Sequence, residues 1–149
     1  MKLWDYVKAA LPQKAPYYGY CHGDMHSGNI FFVEDQPQIF DFDCMGYGYR
    51  AYDICIFAWS TTFRQQNFIE TQSWQMYLEG YSSIRKLGED ELRCIPAFAA
   101  LRCLWLMGLH LDGTAYKNSW SVFNDGYFNN NMTLFKLWYY RVFPDLNPV

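Results

Sequence analysis

Eight consecutive residues, His22-Gly23-Asp24-Met25-His26-Ser27-Gly28-Asn29, gather two imidazoles, a carboxylate and a carboxamide. A second acidic group follows in Ile39-Phe40-Asp41-Phe42-Asp43. Between them lie an apolar run, Ile30 to Val33, the turn residues Glu34-Asp35-Gln36-Pro37, and then Gln38 to Phe42. That pattern predicts two short strands joined by a turn. The loop carrying Asp24 and Asn29 would pass into the first strand, and the second would return Asp41 to the loop's side. Three oxygen-bearing side chains could then share one cavity, which suits Mg²⁺: it prefers oxygen donors, keeps several waters, and is usually held by one or two carboxylates plus substrate phosphates. Asn29 and Asp41 are the candidate ligands. Asp24 is left to accept a proton from a hydroxyl aligned on a phosphate.

The order His22-Gly23-Asp24, four residues, Asn29, then Asp41-Phe42-Asp43 resembles the catalytic core of the aminoglycoside phosphotransferase and choline kinase-like enzymes, which share the protein-kinase fold. The block from Phe42 through Gly46, Gly48 and Arg50 to Asp53-Ile54 is similar to that family's stretch after its metal-binding aspartate. The resemblance implies Asp24 as catalytic base, Asn29 and Asp41 as Mg²⁺ ligands, and Asp53 as a buried acid bracing the loop from a helix start. It implies that His22 packs and orients the loop backbone. His26 stands where protein kinases carry a lysine that meets the transferred phosphate, and is grouped with Asn29 and Asp41 on the nucleotide side. Asp43 is either a second, water-mediated metal contact or a surface residue. The cofactors implied are Mg²⁺ and ATP, and the acceptor is a small-molecule hydroxyl.

Kinase-type transfer needs further parts: a Gly-rich cover over the phosphates, a strand lysine and a helix glutamate that holds it. Twenty-one residues precede His22, and their lysines, Lys2, Lys8 and Lys14, fall on a short helix and a Pro-flanked turn. The expectation is therefore a mainly helical C-terminal lobe with one small β-hairpin and no nucleotide-covering lobe, either a truncated piece or a natural remnant. Residues 1–149 would form one domain, with the catalytic and metal segment at 21–54 and a helical acceptor side at 55–149. The rival expectation is a non-catalytic binding module that pairs with a separate lobe or a second copy. Either way, an apolar patch should flank the Asp24 loop.

Composition narrows the field. Hydrophobic residues make up 51% and aromatics 21%, too much apolar mass for a disordered segment. A net charge of -3 offers no excess to hold a phosphate backbone or an anionic membrane, so neither nucleic acid nor membrane is expected as a partner. The stretch Cys94 to Leu111 contains Pro96 and Arg102 and reads as a buried helix; the N-terminus, with Asp5 and Lys8, lacks the apolar region of a secretory signal, pointing to the cytoplasm. Five cysteines without a C-x-x-C pair read as reduced thiols. His22 and His26 could be taken for a zinc pair, but Gly23 and Gly28 oppose a helix there. Gly46 and Gly48 read as turn glycines.

Apolar spacing predicts helices over 2–10, from Arg50 to Thr62, over 68–87 with Gly88 as a stop, over 89–111 with Pro96 inside, and from about Asn124 to Phe143. The stripe Trp74, Tyr77, Tyr81 and the cluster Trp138-Tyr139-Tyr140 read as core. By analogy with the family, Asp112 and Asp125 are candidate acceptor-side acids.

Overall fold

The computed structural model describes residues 2–111 and 123–146. Helix α1 (Lys2–Ala10) leads to strand β1 (Tyr18–Cys21). The loop with a 3₁₀ turn at Ser27–Asn29 enters β2 (Ile30–Val33), which returns as β3 (Gln36–Ile39). A second 3₁₀ turn, Phe42–Cys44, leads into β4 (Gly46–Tyr49) and directly into α2 (Arg50–Thr62). Helices α3 (Gln72–Ile84), α4 (Glu89–Leu111) and α5 (Asp125–Val142) follow. This is the mainly helical, small-sheet architecture expected of a kinase-like C-terminal lobe. Asp112 lies outside the described residues, and Asp125 is exposed in the first turn of α5.

The core forms where α4 meets α1, α2 and α5. Leu3 and Val7 of α1, Ile54 and Ala58 of α2, Ala97 and Phe98 of α4, and Leu134 and Trp138 of α5 fill it. Trp74 is buried, while Tyr77, Tyr81 and Tyr139 pack against the core's edge. Helix α4 is long and apolar enough to cross a membrane, but in this fold it is the central helix and carries two paired charges on buried positions. One is Glu91, gripped by both terminal nitrogens of Arg85 at 2.7 and 3.1 Å and accepting from the Gly88 N–H at 3.1 Å, which caps the helix start.

Four local expectations are corrected. The sequence suggests one hairpin, whereas two antiparallel pairs form: β2 with β3, and β1 with β4. Gly46 and Gly48 lie in strand β4 opposite Cys21 and Gly19 and are not turn glycines. The β2–β3 turn needs only Glu34 and Asp35, both at positive φ (49° and 61°), so β3 begins at Gln36 and Asp41 lies beyond the strand. The helix expected over 68–87 begins instead as a short 3₁₀ turn, Phe68–Glu70; Thr71 caps α3 by accepting from the Trp74 N–H, and the helix ends at Ile84 before Gly88.

Candidate active site

Strand β1 delivers His22, Gly23 and Asp24 at its end, and the start of α2 holds them. Asp53, in the first turn of α2, accepts from the backbone N–H groups of His22 and Gly23, each at 2.8 Å. Burial pushes the Asp53 carboxyl above the usual carboxylate range, against the pull of those two donors. Gly23 is fixed by geometry of two kinds. Its φ is +81°, and a Cβ there would collide with the carbonyl oxygen of Cys44, so the loop and the Phe42–Cys44 turn are in backbone contact.

His22 bridges the two chemical segments. Its Nδ1 accepts from the Asp24 N–H at 3.3 Å, which leaves the Nε2 proton to donate to the carbonyl of Phe40 at 3.0 Å. Its ring also lies 4.8 Å from that of Phe42. Phe40 is tied on its other side as well, since its N–H donates to the carbonyl of Asn29 at 3.2 Å. Asp41 therefore follows a residue bound to both ends of the loop. It is exposed, in the left-handed region at φ 63°, and its side chain makes no capping hydrogen bond.

Asn29 is buried, and its Nδ2 donates to the carbonyl of Asp24 at 2.9 Å. That contact orients the amide and leaves Oδ1, an oxygen donor, for a ligand. Among the described residues no group of three His, Cys, Asp or Glu could hold a metal by itself. The zinc reading of His22 and His26 thus has no third ligand. Asn29 and Asp41 suit a hard cation that completes its shell with water and phosphate.

Asp24 itself is partly buried and engaged from two directions. Arg102 of α4 places Nη2 on its Oδ1, while His26 Nε2 lies 3.5 Å from Oδ2. His26 Nδ1 accepts from the Gly28 N–H at 2.9 Å, so the proton of the neutral ring sits on Nε2, facing Asp24. Arg102 is the candidate-site residue that sequence reasoning missed, since it interrupts an apolar run and nothing local ties it to Asp24. It is 4% exposed, donates from Nη1 to Tyr52 Oη at 3.1 Å and the Gly23 carbonyl at 3.3 Å, and lies over the Trp59 and Trp105 rings at 5.3 and 4.9 Å. Burial works against its charge, but Tyr52 and Asp24 outweigh that and raise its pKa. An arginine in an apolar helix seldom stays unpaired, and that was the available signal.

The exposed thiol of Cys44 senses the same neighbourhood. Burial first, then the carboxylates of Asp24, Asp41 and Asp43, push it up, with Arg102 opposing. Around it, every residue from 31 to 47 is exposed, including Phe31, Phe32, Phe40, Phe42 and Met45. Several large apolar side chains are thus exposed in the segment that follows the loop.

A family model described as APH, the phosphotransferase enzyme family, matches residues 1–87, which include the loop, the Asp41 segment and α2. The chain belongs to this family. An uncharacterised protein of Deinococcus radiodurans is 40% identical over 69% of this chain and 31% of its own length. A homoserine kinase of Agrobacterium fabrum is 35% identical over 62% of this chain and 29% of its own length. The chain thus spans about a third of the length of these relatives. Among solved structures, the amicoumacin kinase hAmiN in complex with AMP-PNP, Ca²⁺ and Ami superposes with a TM-score of 0.67 over 96% of this chain and 43% of the kinase, at 20% identity. The shared feature is the fold.

Proposed function

We propose that this chain is the catalytic lobe of a phosphotransferase that moves the γ-phosphoryl group of ATP to the hydroxyl of a small molecule. The observation that carries the reading is the closure of the loop on the Asp41 segment: Phe40 bonded to both His22 and Asn29, and Cys44 against Gly23. That closure brings the backbone of Asp41 to the loop bearing Asp24 and Asn29. Asp24 is the base, with Oδ1 held by Arg102 and Oδ2, 3.5 Å from His26 Nε2, taking the proton of the acceptor hydroxyl. The new bond joins the acceptor oxygen to the γ-phosphorus, the bond to the β–γ bridging oxygen breaks, and ADP leaves. Asn29 and Asp41 would hold Mg²⁺, which when bound supplies charge neutralisation at the phosphates. His26 faces the nucleotide side of Asp24, while His22 and Asp53 hold the loop's shape.

On this reading residues 1–149 act as one C-terminal lobe, with chemistry in 21–54 and the acceptor side in 55–149, working in the cytoplasm. The nucleotide-covering parts must come from outside the 149 residues, and the chain alone turns over little or no ATP. The exposed apolar hairpin favours a companion surface there and supports the second reading, a binding module without catalysis. Mg²⁺-dependent binding of a nonhydrolysable ATP analogue, abolished by Asp41→Ala, separates the two. A binding module would show no dependence on Asp41.

A further inference from the structure

A cavity beside the loop has a volume of about 680 Å³, within the range of small-molecule pockets. Its aromatic walls include Trp4 of α1, Tyr47 and Tyr49 of β4, and Phe98 and Trp105 of α4. One end is formed by Gly23, Cys44 and Arg102, the residues that surround Asp24. We propose that this cavity is the acceptor pocket and that it takes an uncharged hydroxyl compound with a flat apolar body. The proposal rests on the phosphotransferase reading for its chemistry, but its binding argument is separate.

Aromatic walls favour a flat apolar ligand through stacking and area burial. Among the described residues no Asp or Glu side chain lines the cavity, and the charged group in its lining is the guanidinium of Arg102. A cationic ligand would meet like charge there and find no carboxylate among the described lining residues, since Asp24 is held on the far side of Arg102. An anion would lose its hydration among aromatic rings, while the charge that could compensate it is already paired with Asp24. Arg102 nevertheless has one unused donor: its buried Nε has no hydrogen-bond partner. A hydroxyl at the Gly23 end would lie on the side of the cavity from which Arg102 reaches Asp24. The polar recess beside His26, Ser27 and Arg64 is a poorer choice, because the hydroxyls of Ser60 and Thr61 already donate to the Phe57 carbonyl.

The test titrates the chain, by saturation-transfer NMR, with naphthylethanol and with the corresponding naphthylethylammonium and naphthylacetate ions. The neutral alcohol should bind saturably and roughly tenfold more tightly than either ion. Leu101→Trp, which fills the cavity, should abolish its binding, and Tyr47→Ala, an exposed change that leaves the fold intact, should weaken it several-fold. Equal or tighter binding of either ion, no binding of the alcohol, or binding indifferent to both substitutions would overturn the assignment. None of these measurements requires nucleotide. A chain that binds the alcohol yet shows no Asp41-dependent binding of Mg-nucleotide would contradict the phosphotransferase reading and leave the pocket standing.

Discussion

The two carboxylates of the site, Asp24 and Asp41, are held in opposite ways. Asp24 is reached from the core: α2 grips its loop through Asp53, and α4 sends a buried arginine to its oxygen. Asp41 is reached only through backbone, at the end of a segment in which every residue from 31 to 47 is exposed. A base must be positioned to a fraction of an ångström to be useful, whereas a metal ligand gains its final order from the metal and phosphates. On the proposed roles, the packed side carries the group whose geometry has to exist in advance. The open side carries the group that, as a proposed metal ligand, a cation would complete.

The largest effect should fall on the packed side. In an active assembly Asp24→Ala should lower turnover by roughly 10²- to 10⁴-fold, about 3 to 5 kcal/mol of barrier, as read by steady-state kinetics. Undiminished turnover would remove Asp24 from its role. Next, Glu91→Ala strips Arg85 of its partner at the base of α4 and should destabilise the chain by about 3 kcal/mol in urea unfolding. A Cβ at Gly23 meets both a positive φ and the Cys44 carbonyl, so Gly23→Ala should cost about 2 kcal/mol and loosen the loop. On the open side Phe32→Ser, at an exposed position of β2, should change stability by less than about 0.5 kcal/mol. A large loss there would mean the hairpin is packed after all.

Thiol chemistry sharpens the same contrast. Burial pushes Cys21 and Cys103 up to about 12 and Cys94 up to about 11, and Cys55 higher than its ordinary value. In the native chain at pH 8, alkylation should be confined to exposed Cys44, and mass spectrometry should find the other four modified only after unfolding.

How far the sequence disclosed this can be argued from particular residues. The helices were legible because buried side chains recur at helical spacing, and the ends of α1, α2 and α5 fall where spacing and capping place them. Family and fold were legible because Asp24, Asn29 and Asp41 occur in a rare order. The pairing of β1 with β4 was not, since it joins segments 28 residues apart through glycines that carry no strand signal. Arg102 escaped for the same reason: it reaches Asp24 across 78 residues, and no local pattern records a contact of that length. The start of β3 was misplaced because the positive φ of Glu34 and Asp35 allows a two-residue turn that neither residue advertises.

The convergence of Asn29 and Asp41 on one cation is most directly tested with Mn²⁺ as a paramagnetic probe of the ¹⁵N-labelled chain in the presence of an ATP analogue. Broadening should centre on the Asn29 side-chain amide and the backbone amides of Asp41 and Gly23, and should vanish in Asp41→Asn. Broadening centred instead on the Glu34–Asp35 turn, or unchanged by that substitution, would contradict the account.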